Sequence, residues 1–326
     1  MIRAPVMDRD EYRSRIVEVS EHHGGQRLDN FLLNQLKGVP RSHIYQLVRT
    51  GQVRVNRSRA RPKSRLQVGD EVRIPPVRIA VRAPKTVTPS QIRITQRILF
   101  EDHHILVLDK PYSIAVHAGS AISAGLIEWL RIARPNAPYL ELVHRLDRDT
   151  SGCLLIAKSR TALIALQAAL RHSLGTPHRL DKYYLALVKG RWIGGARTVT
   201  AALEKNVLRS GERLVGVSAN GRDAESIFRP LQYLDNATLV EIKLITGRTH
   251  QARVHAAHLG HPIAGDTKYG DKAFNVFMRS HGLERLFLHA ARLEFRHPVT
   301  ERETIVSSPL PDTLSAFLED LTANGD

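Results

Sequence analysis

Residues 144–152 read HRLDRDTSG and carry two carboxylates, Asp147 and Asp149, two positions apart and flanked by arginines. That spacing suits two kinds of chemistry. An acid/base pair could cleave a glycosidic bond, for which retaining enzymes hold their carboxyls about 5–5.5 Å apart. An extended 144–149 would put this pair on one face, about 7 Å apart. A general acid needs a raised pKa, however, and Arg145 and Arg148 favour the ionised form. One permanently ionised aspartate, acting as nucleophile or base, fits the arginines better. The plainer alternative is a loop tied by surface ion pairs.

Three further stretches carry reactive side chains. TGRTHQARVHAAHLGHPIAGDTKYG (246–270) predicts a helix capped by Thr249, running to about Leu259 and ended by Gly260. His250 and Arg253 share one of its faces, as do His255 and His258. With His261 there are four histidines in twelve residues, but no obvious Asp or Cys ligands accompany them, so a metal site is disfavoured. LDKPYSIAVHAGS (108–120) reads as a strand end opening into a loop that can bring Lys110 or His117 to a pocket. DKYYLALVKG (181–190) starts a strand with adjacent tyrosines, of which one must face inward, and an aromatic beside a basic site can stack an unpaired base. Phosphate loops of the Gly-rich types and the zinc-deaminase signature are absent, which argues against nucleotide-driven and cofactor redox chemistry.

The elements that must position these groups fall into two parts. Residues 1–23 read as a polar leader and 24–75 as a small α/β unit. Within that unit Leu28, Phe31, Leu32 and Leu36 share a helical face. A second helix has Ser42 as N-cap, Ile44, Leu47 and Val48 as its stripe, and Gly51 as its stop. Val53 and Val55 alternate in a strand. Residues 76–92 contain three prolines and no period, and read as a semi-rigid linker. From 93 to 326 strands follow one another without regular βαβ alternation, around helical segments at 122–133 and 161–172. The fold class is therefore α+β with a mainly antiparallel mixed sheet.

Charge is unevenly placed. Of a net +16, residues 1–90 contribute 18 basic and 8 acidic side chains, and the rest of the chain 30 and 24. Arg54, Arg57, Arg59, Arg61, Lys63 and Arg65 crowd one hairpin and loop, where they repel one another unless an anion lies there. Nucleic acid is the expected partner. The longest apolar run, TALIALQAAL (161–170), is too short for a membrane span, and one cysteine allows no internal disulfide. The N-terminus lacks the apolar block of a signal peptide. A cytoplasmic protein with no membrane partner is expected.

VHRLDRDTSG, LDKP…AVH, KYYLALVKG, TGRTHQARVHAAHLGHPIAGD and LFLHA occur in an order that resembles the RluA-type pseudouridine synthases, and 24–75 resembles an S4 RNA-binding domain. The likeness runs from about Gly25 to about Leu310. It implies a catalytic domain over 93–326 that isomerises uridine in large-subunit ribosomal RNA, free or within a pre-ribosomal particle. The enzyme would act as a monomer, without cofactor or metal. It implies that Asp147 is the essential group and that Asp149 occupies a variable position. It places Tyr184 as the base-stacking tyrosine and Arg253 as the partner of Asp147. Arg145 becomes the residue that enters the helix where the uridine leaves. RNA contacts are expected from Arg41, Arg49, Arg54, Arg57, Arg59, Arg61, Lys63 and Arg65.

The physics is consistent with those roles. A stacked base is out of reach and must be flipped, at a cost of a few kcal/mol. An arginine in the vacated space offsets part of that cost. The aspartate can attack C1′, attack C6 of the base, or remove the 2′ proton, and the residues leave these routes open. Ser113 stands where the family often has glycine, so the 111–117 loop is expected to differ in shape. A non-catalytic RNA-binding or ribosome-assembly protein would use the same basic unit. It would leave Asp147, Tyr184 and Arg253 without a purpose.

Overall fold

The computed structural model describes residues 14–21, 23–36, 39–77, 93–117, 125–171, 176, 178–207, 213–234 and 236–323. The chain forms two compact units, Met1–Val87 and Thr88–Asp326. Residues 78–92, most of the segment read as a linker, lie outside the described residues.

The first unit packs helices α1 (Leu28–Gln35) and α2 (Arg41–Arg49) on a four-stranded sheet. Its strands are β1 (Arg15–Glu18), β2 (Arg54–Val55), β3 (Ser58–Arg59) and β4 (Glu71–Ile74), in the order β1-β4-β2-β3. The expected faces are the buried ones. Leu28, Phe31, Leu32, Leu36, Ile44, Leu47, Val48 and Val53 share one core, each worth about 1.5–3 kcal/mol of burial. Two expectations need correction. Helix α2 starts one residue before Ser42, with Pro40 at its N-cap and no side-chain cap; proline's fixed φ presets the entry. Residues 15–18 of the presumed leader are a strand paired with β4, anchored next door by fully buried Val19. Four residues between charged neighbours give too short a pattern to show this. Asn56 and Arg57, both at positive φ, turn the β2–β3 hairpin, the pairing of dihedrals that matches strand twist.

The second unit is built on a ten-stranded sheet. After a 3₁₀ turn at Arg93–Arg97 its elements run β5 (Ile98–Glu101), β6 (Ile105–Lys110), α3 (Leu126–Ala133), β7 (Glu141–Leu142), β8 (Ser151–Ala157), α4 (Arg160–Ala169) and β9 (Asp181–Lys189). Then come β10 (Arg197–Thr200), a separate hairpin of β11 (Leu203–Val207) and β12 (Arg213–Val217), β13 (Glu225–Leu234) and β14 (Ala237–Leu244). The chain continues through α5 (Gln251–His258), α6 (Lys272–Ser280), β15 (Leu288–Arg296), β16 (Glu303–Ser307) and α7 (Asp312–Ala323). The main path is β10-β13-β14-β9-β15-β8-β6-β5, with β7 on β8 and β16 on β15. All its pairs are antiparallel except β15–β8, so the sheet is mixed and mainly antiparallel, as the sequence predicts.

The whole of β8 is buried. Leu154 and Ile156 pack on the core beneath α3, and Cys153, Leu155 and Ala157 on the core beneath α4. Covering both faces explains why CLLIA reads as a continuous apolar run rather than an alternation. At the start of β8 the backbone meets β15 so closely that a Cβ on Gly152 would lie 2.2 Å from the Ala290 carbonyl oxygen. Its φ of 107° also demands glycine. Gly152 thus fixes where the HRLDRDTSG loop leaves the sheet.

Candidate active site

The loop that carries Asp147 is held on both sides. Leu155 N–H donates to His144 Nε2 (3.1 Å), and Leu146 is buried in the core. Thr150 N–H donates to the Asp147 carbonyl (3.2 Å), which closes a turn. Lys110, fully buried, donates from Nζ to the carbonyls of Pro111, Ile114 and Arg148 at 2.8, 2.8 and 2.9 Å. Burial draws its pKa down to about 7. Three carbonyl acceptors nevertheless require three N–H donors, which only the ammonium has. Lys110 is therefore a clamp between two loops. Ser113, in the clamped loop, has φ 66°, so it takes the left-handed conformation that glycine favours.

The turn separates the two aspartates. Residues 144–149 are not extended throughout, and Asp149 sits in the turn, paired with Arg148 Nε at 3.0 Å. Asp147 instead faces α5. Its Oδ2 lies 3.6 Å from Arg253 Nη1 and 3.9 Å from His250 Nε2. Both distances are too long for hydrogen bonds. The carboxylate, 23% exposed, is held by charge and keeps its lone pairs open to a ligand.

Behind Arg253 stands Asp266, whose carboxylate is 1% exposed. Arg253 donates Nε and Nη2 to its two oxygens, each at 2.7 Å. Lys268 and Tyr269 N–H groups add bonds of 2.9 and 3.0 Å to the same carboxylate. Burial works to raise the Asp266 pKa, but these donors outweigh it and hold it below the usual carboxylate range. Burial likewise works against the Arg253 charge, and Asp266 and Asp147 together hold its pKa above its ordinary value. Tyr269 closes the arrangement. Its ring lies 5.1 Å from the Arg253 guanidinium carbon, and its Oη is 2.8 Å from His250 Nδ1 and accepts Val215 N–H at 3.0 Å. Burial lowers the His250 pKa, with Asp147 pulling the other way.

Helix α5 differs from its sequence reading. The N-cap is His250, at φ 54°, rather than Thr249, and no side chain caps the helix. The left-handed turn aims the imidazole at Asp147 and Tyr269. The histidines of this stretch diverge. His255 bonds Ser226 Oγ and the Ala201 carbonyl (both 3.0 Å), His261 bonds the Lys189 carbonyl (2.8 Å), and His258 is exposed. Among the described residues no group of three or more His, Cys, Asp or Glu side chains could hold a metal ion.

Tyr184 projects from β9 into the same place. It is buried, and burial, then the charge of Asp147, pushes its hydroxyl pKa well above the ordinary phenol value. Its neighbour Tyr183 faces the other way, with Arg292 over its ring at 4.1 Å. A cleft of about 480 Å³ is lined by Asp147, Tyr184, Arg253, Arg145, Leu146 and Leu288, among others. An adjoining one of about 520 Å³ shares Arg145, Asp147 and Arg253, and adds His117, Asp149 and Lys268. Arg145 is exposed at the rim of both. The structure therefore brings Asp147, Tyr184, Arg253 and Arg145 together from three separate stretches of sequence. In the other unit Arg41, Arg49, Arg54, Arg57, Arg59, Arg61, Lys63 and Arg65 are all exposed. None of the eight has a carboxylate within 4 Å among the described residues.

Residues 104–258 match the profile of the RNA pseudouridylate synthases, and residues 26–72 that of the S4 domain. Over 312 residues the chain is 49% identical to ribosomal large subunit pseudouridine synthase C of Escherichia coli (strain K12), covering 94% of this chain and 96% of that one. The chain belongs to the RNA pseudouridylate synthase family.

It is thus an isomerase. The synthase C of Vibrio vulnificus (strain CMCP6) is 47% identical over 311 residues, with 94% and 96% coverage. Among solved structures, human RNA pseudouridylate synthase domain containing 4 superposes with a TM-score of 0.58 at 26% identity, covering 71% of this chain and 95% of that one. Human RNA pseudouridylate synthase domain containing 1 gives 0.52 at 27%, covering 66% and 83%.

Three groups of this synthase's site are not singled out by sequence reasoning. Asp266 reads as a turn residue after Gly265, and nothing in AGDTKYG shows that its carboxylate is buried. Tyr269 lies outside every period. Lys182 enters only through the resemblance, as the lysine two residues before the tyrosine read as base-stacking. The usable signal is a charged residue inside an otherwise apolar strand, as in DKYYLALV, because a buried charge needs a reason.

Proposed function

We propose that this synthase converts particular uridines of large-subunit (23S) ribosomal RNA to pseudouridine, with Asp147 as the essential group. The observation that carries this is the placement of Asp147. Its carboxylate borders a cleft walled by Tyr184, ion-paired to Arg253 but free of hydrogen bonds among the described residues. A group so placed can be aimed and kept ionised without being used up. The rRNA substrate is supported by identities of about 50% to relatives named for the large ribosomal subunit.

On this reading the uridine is flipped into the cleft and Arg145, exposed at its rim, fills the vacated stack. Tyr184 holds the uracil by its ring face while the base turns. The N1–C1′ bond breaks, C5 bonds to C1′, and the C5 proton is lost as N1 takes one up. Attack on C1′, attack on C6 and removal of the 2′ proton all place Asp147 against the nucleoside. Residues 24–75 act as the S4 RNA-binding domain through the eight exposed cations, 76–92 as linker, and 93–326 as catalytic domain. The enzyme works as a cytoplasmic monomer on rRNA or a pre-ribosomal particle. No helix among the described residues is long and apolar enough to cross a membrane. Pseudouridine mapping of rRNA from a strain lacking the protein tests the reading: specific large-subunit sites are lost and return with the wild-type gene. An unchanged map contradicts it.

A further inference from the structure

Lys182 lies two residues before Tyr184 on β9, and the strand's period turns both side chains to the same face. Both line the cleft that Asp147 borders. Lys182 is 7% exposed, yet its ammonium has no hydrogen bond or ion pair among the described residues. The neighbouring carboxylate, Asp181, is already engaged by Arg179 at 2.5 Å and Lys243 at 2.7 Å. Nearby Arg179 adds a like charge. His144 offers no acceptor, since its Nε2 receives Leu155 N–H. Lys182 Nζ instead lies against Gly247, where a Cβ would come within 3.0 Å of it. Gly247 lines the same cleft.

The Lys182 Nζ opens only onto the cleft, and an ammonium so largely desolvated without a protein acceptor is costly, so an apolar side chain of similar volume would be at least as stable there. The missing acceptor is expected to arrive with the substrate. Phosphates belong at the rim, where Arg145, Arg171 and Arg248 are exposed. Lys182 is mostly buried and shares its strand face and the cleft with Tyr184, against whose ring the base itself would sit.

We propose that Lys182 donates to the carbonyl oxygens of the flipped uracil and takes up the negative charge that the base acquires during isomerisation. This rests on the reading of the cleft as a uridine site. When N1–C1′ breaks, the bonding pair leaves with the uracil and spreads over N1, O2 and O4. C1′ is left electron-poor until C5 bonds to it. C5 then gives up its proton, N1 gains one, and the base is neutral again. Addition of Asp147 to C6 would also place charge on O4. Lys182 ends each cycle with the protons it began with. Because the charge appears only on the way to the transition state, the interaction speeds turnover more than it tightens binding.

The test compares full-length wild type, Lys182→Met and Lys182→Gln on a 23S rRNA transcript, measuring turnover, KM and thermal midpoint. Lys182→Met is expected to lower turnover by about 100-fold or more, with KM within about threefold and a midpoint no lower than wild type. Lys182→Gln, which keeps a neutral donor, is expected to fall between the two. Turnover within about threefold of wild type overturns the proposal, and so does a loss confined to KM, which would mean ground-state phosphate binding. Loss of activity in proportion to a lowered midpoint in both variants also overturns it, by making Lys182 structural. A wild-type enzyme that forms no pseudouridine on any rRNA sinks the uridine reading itself, which is a distinguishable result.

Discussion

Asp266 grips Arg253 through two 2.7 Å hydrogen bonds, and the nitrogen left over, Nη1, lies 3.6 Å from Asp147. The guanidinium can turn no other way without breaking that pair. Asp266 therefore sets where the positive charge beside Asp147 sits. Asp266→Asn removes one partner of a buried pair, a change worth about 3–5 kcal/mol of stability. It is expected to lower turnover about 10–100-fold, mainly through displaced Arg253. In an Arg253→Lys background the same change should cost far less, since positioning through Arg253 is already lost. Rates from the four enzymes of that cycle decide it, and strict additivity would separate Asp266 from Arg253.

Asp149 is the control for Asp147. Its carboxylate is paired with exposed Arg148 inside the turn, an arrangement worth about 0–1 kcal/mol at most. Asp149→Asn should leave turnover within about threefold of wild type, as expected for a surface ion pair. A loss as large as that of Asp147→Asn would revive the paired-carboxylate mechanism.

Buried neutral histidines make stability fall in mild acid. Burial lowers the pKa of His144 to about 3, and lowers those of His255 and His289. His289 donates Nε2–H to the Ser308 carbonyl (3.1 Å), so its Nδ1 accepts from Ser151 (2.9 Å). Each lowered group binds fewer protons folded than unfolded. Its contribution is complete above about pH 6.5 and is lost as pH falls toward the folded value, by about 1.4 kcal/mol per pH unit for each group. Denaturant unfolding at pH 7.5, 6.5 and 5.5 should show stability falling stepwise below 6.5. His144→Gln, which can still accept Leu155 N–H, should flatten the slope. A flat wild-type profile would contradict the neutral assignment.

The basic hairpin is expected to govern salt dependence. Arg57, Arg59 and Arg61 are exposed and have no carboxylate partner among the described residues. Changing all three to Gln should weaken rRNA binding and reduce the slope of log K against log salt by about 0.7–0.9 for every phosphate that is no longer neutralised. Binding isotherms from 50 to 300 mM salt measure this. An unchanged slope would assign docking to the catalytic unit.

Much of this was legible in the sequence because it is local. The apolar stripes of α1 and α2 and the alternation that opens YYLALV are set by periodicity, and the structure buries them accordingly; CLLIA is instead a continuous apolar run, buried on both faces. The proposal of Asp147 over Asp149 rests on its motif and resemblance, since the arginines alone could not separate the two. What stayed hidden depends on contacts between distant segments. The turn that divides the aspartates is fixed by Lys110, 38 residues away, donating to the Arg148 carbonyl. The bidentate grip of Asp266 on Arg253 spans a helix end and a loop, and no spacing rule announces it. Strand β1 was too short to show a period. The left-handed φ of His250 answers to tertiary packing, where propensity would have chosen Thr249 as the cap.

The most direct test of the central claim is pseudouridine formation by Asp147→Asn, measured on a 23S rRNA transcript beside the wild type, with RNA affinity measured on the same preparations. Asparagine keeps the shape and removes the charge. The account predicts no detectable conversion while affinity stays within about threefold, because binding rests on the cations and the cleft rather than on this carboxylate. Pseudouridine formed by the variant at the wild-type rate would contradict it.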